Sequence, residues 1–135
     1  MLLATPKQIS CGLLVLRLAL GGFMLVHGLQ KVMNFAALSE AFPDPLGVGS
    51  QLSLILAIGA EVGCSVLVIL GLLTRLAVIP LAITMVVALF IVHGADPWKV
   101  KELAAVFLAM YVVLLITGPG QFSVDAMISR KKEPA

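Results

Sequence analysis

Six ionisable side chains stand inside or at the ends of apolar stretches of this 135-residue chain: Arg17, His27, Lys31, Glu61, His93 and Glu102. Their types define the chemistry on offer. A carboxylate among apolar residues can take up and release a proton, an imidazole titrates near neutrality, and an ammonium or guanidinium group can orient a ligand oxygen. Glu61 and Glu102 are therefore the candidate catalytic acid–base groups, and His27, Lys31, His93 and Arg17 the candidate ligand-binding groups. No metal site is assigned. A His or Glu of this set could accept the proton of a quinol, and His27 and His93 could ligate a haem or a divalent metal; spacing alone leaves those choices open.

The elements that must position these groups are membrane spans. Apolar residues make up 61% of the chain and charged residues only 12%, with a mean hydropathy of +1.13. A soluble domain of this size has no core large enough to hide that surface. The expected fold is all-α, a single-domain integral membrane four-helix bundle covering residues 1–135. Its spans run over about 9–32, 52–73, 76–92 and 98–117, each near the 20 residues a bilayer core requires. The first carries Arg17 in its middle and no cleavage pattern follows it, so it reads as a retained span and not a signal peptide. Asp96-Pro97 offers an N-cap acceptor and a first-turn proline for the fourth span, and Gly118-Pro119-Gly120 stops it. Phe35, Leu38 and Phe42 predict a short interfacial helix before Pro43, and the segment from Ser123 to Ile128 another. No internal repeat or low-complexity tract is visible.

Short connections make neighbouring spans antiparallel, which allows charge to be counted by side. Lys7, Arg75, Arg130, Lys131 and Lys132 oppose Asp125 and Glu133 on the side of the termini, a net +3. Lys31, Lys99 and Lys101 oppose Glu40, Asp44, Asp96 and Glu102 on the other, a net −1. Basic residues mark the cytoplasmic face, so both termini are expected in the cytoplasm of a bacterium and the protein in its plasma (inner) membrane. Cys11 and Cys64 lie in apolar stretches without a CxxC and read as small packing residues.

A charge at mid-span costs about 2.5–3.5 kcal/mol on insertion scales and so needs a partner. Arg17 and Glu61 fall about 6 Å apart in depth if the first two spans are antiparallel, which predicts an ion pair between them. Arg17, Gly21, Met24, Gly28 and Lys31 share one face of the first helix with His27 beside it, and that face should look into the bundle. Gly59 and Gly63 flank Glu61 in a GxxxG pattern that favours close helix packing. His27, Lys31, His93 and Glu102 all come from the ends of three helices on the side opposite the termini, so they could converge on one shallow site. Each has a plainer reading: an ion pair that keys helices together for Arg17, snorkelling to the headgroups for Lys31, a satisfied interfacial residue for His93.

Walker loops, dinucleotide fingerprints and c-type haem signatures are lacking, and nothing suggests nucleic-acid binding. Arg17, His27-Gly28-x-x-Lys31, Gly59-x-Glu61-x-Gly63, Gly71-Leu72-Leu73-Thr74-Arg75, Lys101-Glu102 and Gly118-Pro119-Gly120-x-x-Ser123-x-Asp125 occur in that order. In these features the chain resembles the DoxX family of small four-helix membrane proteins over about residues 9–126. The resemblance implies an oxidoreductase subunit rather than a stand-alone enzyme, since the family takes its name from a subunit of an archaeal thiosulfate:quinone oxidoreductase and has members linked to oxidative-stress complexes. The expected function is a redox-associated subunit that binds a quinone-like ligand near the periplasmic side. The alternatives are a small proton-coupled transporter using Glu61, and a non-catalytic assembly or chaperone partner. Expected partners are the lipid bilayer and either a second copy of the chain or a redox protein.

Overall fold

The computed structural model describes residues 3–134, and among them the chain is helical with no strand. Four helices are long and apolar enough to cross a membrane: α1 (Pro6–Met33), α3 (Ser50–Leu70), α4 (Thr74–Val92) and α5 (Trp98–Thr117). Two short helices lie outside them, α2 (Phe35–Leu38) after α1 and α6 (Val124–Lys132) after α5. The protein is thus an all-helical membrane protein with four spans. The fourth span has the bounds its stop signals predict, whereas α1 begins earlier than hydropathy suggests. There Thr5 and Gln8 form a reciprocal capping box ahead of Pro6, satisfying amide groups that the first turn leaves open.

The helices pack as an up-and-down bundle in which α1 lies on α3, α3 on α4, α4 on α5, and α5 closes back on α1. Leu20, Met24, Val68, Val78, Leu81, Phe107, Tyr111 and Leu114 fill the middle. Val15, Phe23, Phe90, Leu103 and Ile116 are exposed around the outside, an apolar belt that lipid would cover and water would not tolerate.

At the end of the bundle that carries the termini, the turn between α3 and α4 is tied to the segment after α5. Gly71 ends α3 with φ +68°, and Leu73 follows at φ +49°. The Asp125 carboxylate accepts from the Leu73 and Thr74 amides at 2.8 and 3.0 Å, so the first turn of α4 is capped by a residue 51 positions away. The Asp125 amide in turn donates to the Gly71 carbonyl. Ser123 caps its own helix α6 by accepting from the Ala126 amide.

The opposite end is held by a loop built on Asp44. Its carboxylate accepts from the amides of Val48 and Gly49 and from the Ser53 hydroxyl, at 2.8–2.9 Å, and so fixes the chain entering α3. Those bonds, first the Gly49 amide and then Ser53, hold the Asp44 carboxyl below the ordinary carboxylate range. The loop's support is therefore present at and above that ordinary range and lost as pH falls through the depressed value. Asp44→Ala should lower the protection of the Val48 and Gly49 amides against hydrogen exchange several-fold at neutral pH, protection being judged from the observed rate relative to the intrinsic rate at the same pH; unchanged protection would refute this role.

Asp96 does not cap α5. Pro97 occupies the cap position without a side-chain bond, because the Asp96 carboxylate is engaged with His93 Nδ1 at 2.7 Å across the turn from α4.

Candidate functional site

Glu61 is buried, 4% exposed, and its partner is Lys31: Lys31 Nζ donates to Glu61 Oε2 at 2.7 Å. The expected pair between Arg17 and Glu61 does not form. Arg17 turns instead towards the terminal end, where its guanidinium donates to the carbonyls of Val68 (3.4 Å), Ile69 (3.1 Å) and Phe122. The first two carbonyls belong to the last turn of α3: Val68 also accepts from the Gly71 amide at 3.1 Å, while Ile69 loses its helical donor because the Leu73 amide turns to Asp125. A five-donor planar cation can serve these three carbonyls at once, the orphaned Ile69 acceptor among them.

Two local devices bring Lys31 and Glu61 together. The first is the face of α1 on which Arg17, Gly21, Met24 and Gly28 are all buried, as their spacing predicts. At Gly28 a Cβ would stand 3.0 Å from both the carbonyl carbon and the Cβ of Glu61, and at Gly21 it would stand 3.0 Å from the Ser65 carbonyl oxygen. Glycine therefore lets α1 press against the backbone of α3, and Lys31, one turn beyond Gly28, reaches down to the carboxylate. The second device is a π-helical turn in α3 over Gly59–Cys64. Such a turn inserts a residue into the α-helical ladder, re-aims the side chains around it, and recurs at functional sites.

The close-packing role expected of Gly59 and Gly63 falls to Gly21 and Gly28. Nothing among the described residues lies within 4 Å of a Cβ at Gly59 or Gly63. Each is two residues from Glu61 and hence on the opposite side of the helix, away from the core that Glu61 faces.

His27 lies on the flank of the α1 stripe, half-buried, with its ring edge-on to Phe107 of α5 (centroids 6.2 Å apart, planes at 85°). It is the one side chain with a conventional hydrogen-bonding group in the lining of a cleft of about 390 Å³ between α1 and α5, formed with Phe23, Val26, Leu103, Val106, Phe107 and Met110. That volume falls within the range that holds small ligands, and the lining is apolar with a single polar anchor.

The expected four-residue convergence forms only in part. Lys31 meets Glu61, and His27 is one turn before Lys31. His93 is engaged with Asp96 at the α4–α5 turn, and Glu102 is exposed with no side-chain hydrogen bond or ion pair among the described residues, one position before the cleft residue Leu103. Among the described residues no three His, Cys, Asp or Glu side chains gather to hold a metal.

Tyr111 belongs to the site although its sequence context did not single it out. It is fully buried, its hydroxyl has no hydrogen-bond partner among the described residues, and it lies within electrostatic reach of Glu61 and Cys64. The available signal was that it is the single tyrosine of the chain, set in the middle of an apolar span. A buried hydroxyl normally finds a partner.

The DoxX family model matches residues 12–94, which take in Arg17, His27, Lys31, Glu61 and the Gly71–Arg75 turn. The chain is also similar to an uncharacterized membrane protein, Rv3486, of Mycobacterium tuberculosis, with 30% identity covering 93% of this chain and 84% of the relative. It is 30% identical to the inner membrane protein YphA of Escherichia coli, covering 84% of this chain and 87% of that protein. An uncharacterized Haemophilus influenzae protein is 28% identical over 87% of this chain and 83% of its own length. No solved structure matches.

Proposed function

We propose, from the premise that the chain belongs to the DoxX family of membrane proteins, that it is a redox-associated membrane subunit which holds a flat, quinone-like ligand in the cleft between α1 and α5. The observation that carries this reading is the cleft itself, an apolar slot facing the lipid phase with one imidazole in its wall. A quinone is a flat apolar ring whose polar atoms lie at two opposite points. Phe23, Val26 and Val106 would cover the ring, while His27 hydrogen-bonds one oxygen. Oxidation of the corresponding quinol releases two protons and two electrons. His27 would accept the first proton and the Lys31–Glu61 pair, one helical turn away, would relay protons onward. The electrons pass to a redox partner protein, since the chain contains no recognisable electron-carrying motif of its own. Glu102 at the outer end of the cleft assists entry of the polar headgroup, and His93 and Arg17 keep structural roles.

The setting of this activity is a bacterial plasma membrane with both termini on the cytoplasmic side. The charge count by side supports that orientation, and the Escherichia coli relative is named as an inner membrane protein.

The reading is tested by titrating the detergent-purified protein with decyl-ubiquinone and following the complex by native mass spectrometry. His27→Ala should weaken binding about tenfold, the worth of one hydrogen bond of about 1.4 kcal/mol, and Val106→Trp, which fills the slot, should abolish it. Equal binding by all three proteins, or none by the wild type, would sink the proposal. Purification with one stoichiometric foreign subunit and no bound quinone would instead favour the assembly role.

A further inference from the structure

Four buried side-chain polar atoms have no hydrogen-bond partner among the described residues, and three of them lie along the seam where α1 and α5 meet α3, the fourth being Thr74 Oγ1 at the start of α4. Counting from the Lys31 end, the seam carries the Lys31–Glu61 ion pair, then the hydroxyls of Tyr111 and Ser65, then the guanidinium of Arg17. Ser65 and Tyr111 are fully buried, Arg17 is 1% and Glu61 4% exposed. The two hydroxyls and Arg17 Nε have no partner among the described residues. A buried hydroxyl left unpaired is unfavourable, and a cluster of them marks a place where an exchangeable proton or a water is held. Ser65 lies four residues beyond Glu61, about 6 Å along the helix axis, roughly two hydrogen bonds of about 2.8 Å.

Access to the seam is unequal at its two ends. The Lys31 side chain is 23% exposed, so water reaches the ion pair from that end. Towards the terminal end stands Arg17, a permanent positive charge whose remaining donors are fixed on the Val68, Ile69 and Phe122 carbonyls. A fixed guanidinium repels hydronium, as cationic side chains do in pores that exclude protons. The charged and titratable groups around Glu61 are Lys31 from α1, Cys64 from α3 itself and Tyr111 from α5; Arg17, further along α1, is turned away and has Asp125 as its charged neighbour, and α4 contributes Val78, Leu81 and Met85 to the core, none of them titratable.

We infer that Glu61, Tyr111 and Ser65 form a proton-holding site inside the bundle that fills and empties only through the Lys31 end, with Arg17 as its barrier. In loading, a hydronium ion at the Lys31 end gives its proton to the Glu61 carboxylate and leaves as water. The ion pair opens, the Lys31 ammonium remains charged and turns to water, and the new carboxylic acid donates to the Tyr111 or Ser65 oxygen, directly or through water. Emptying reverses each step, and no electron moves. This rests on the preceding reading only in taking Glu61 as a proton acceptor, and it requires no ligand in the cleft.

The test is infrared spectroscopy of the full-length protein, free of added quinone, in right-side-out and inside-out membrane vesicles. Acidifying the compartment at the Lys31 end should raise a carboxylic acid C=O band that Glu61→Gln removes and Tyr111→Phe shifts. Acidifying the other compartment should raise none. A band that grows equally from either side, that is absent, or that ignores Tyr111→Phe would overturn the inference. Arg17→Gln should open the site to the terminal end and let protons through to a pH-sensitive dye inside the vesicles; a folded Arg17→Gln protein with wild-type sidedness would overturn the barrier. Should that variant not fold, the sidedness of the wild-type band decides alone. Failure to bind decyl-ubiquinone leaves this result intact, so the two readings fail separately.

Discussion

Replacing Lys31 by methionine should destabilise the folded bundle by on the order of 3 kcal/mol, one of the two largest single-residue effects expected outside the apolar core. The reason is the charge left behind. Glu61 is buried on a π-helical turn and has Lys31 Nζ at 2.7 Å as its ion-pair partner. Removing one member of a buried pair typically costs about 3–5 kcal/mol, chiefly because the other charge stays in a medium that solvates it poorly. Lys31 is partly exposed, so screening by water places the figure at the lower end. Methionine keeps most of the length and packing of the lysine stem, which makes charge the principal variable. The diagnostic experiment is the double variant Lys31→Met with Glu61→Gln, in which no charge is stranded; it should recover most of the loss. A thermal or denaturant unfolding series in detergent, read as a double-mutant cycle, measures the coupling. If Lys31→Met alone unfolds within about 0.5 kcal/mol of the wild type, a range ordinary for surface changes, the pair contributes nothing to the fold.

A comparable loss is expected from Gly71→Ala, at the other end of the bundle and for a different reason. Gly71 sits at φ +68°, and a Cβ there would fall on the Arg17 guanidinium and 2.5 Å from the Ser123 Cβ. The left-handed conformation alone disfavours alanine by roughly 1–2 kcal/mol. The larger part comes from Arg17, which must leave the Val68, Ile69 and Phe122 carbonyls to make room, so a total of about 3–4 kcal/mol is expected. Gly12→Ala serves as the control. It lies within α1 with nothing among the described residues within 4 Å of its Cβ position, and alanine there should be neutral or stabilise by up to about 1 kcal/mol. Equal unfolding midpoints for Gly71→Ala and Gly12→Ala would show that Arg17 does not depend on the glycine turn.

The four spans and the inward face of α1 were legible because both depend on local periodicity. Arg17, Gly21, Met24 and Gly28 repeat at helical spacing, and the structure buries all four. The partner of Glu61 was not legible in that way. Depth matching favours Arg17, but depth ignores the acceptors that the end of α3 sets free, and Arg17 answers to those. Lys31, read as a ligand-binding residue of the inward stripe with headgroup snorkelling as the plainer alternative, reaches Glu61 because Gly28 allows α1 to lie against the turn bearing that carboxylate. That turn is itself invisible to a reading that assumes 3.6 residues throughout, as is the matching π-helical turn at Ala88–Val92 that closes α4. Asp96 misled for a similar reason: it precedes a helix and has the chemistry of a cap, yet His93 three residues earlier competes for it. Asp125 illustrates the opposite limit, since a cap supplied from 51 residues away leaves no trace in the local pattern of α4.

The same long-range cap bears on how the protein is made. Synthesis runs from the N-terminus, so all four spans are made before residues 122–125. Until then the start of α4 lacks its carboxylate and the Arg17 guanidinium lacks its Phe122 acceptor. Assembly therefore has a latch that only a segment translated after all four spans can fasten, and a nascent bundle awaiting it is the form that the insertion and quality-control machinery of the membrane would meet.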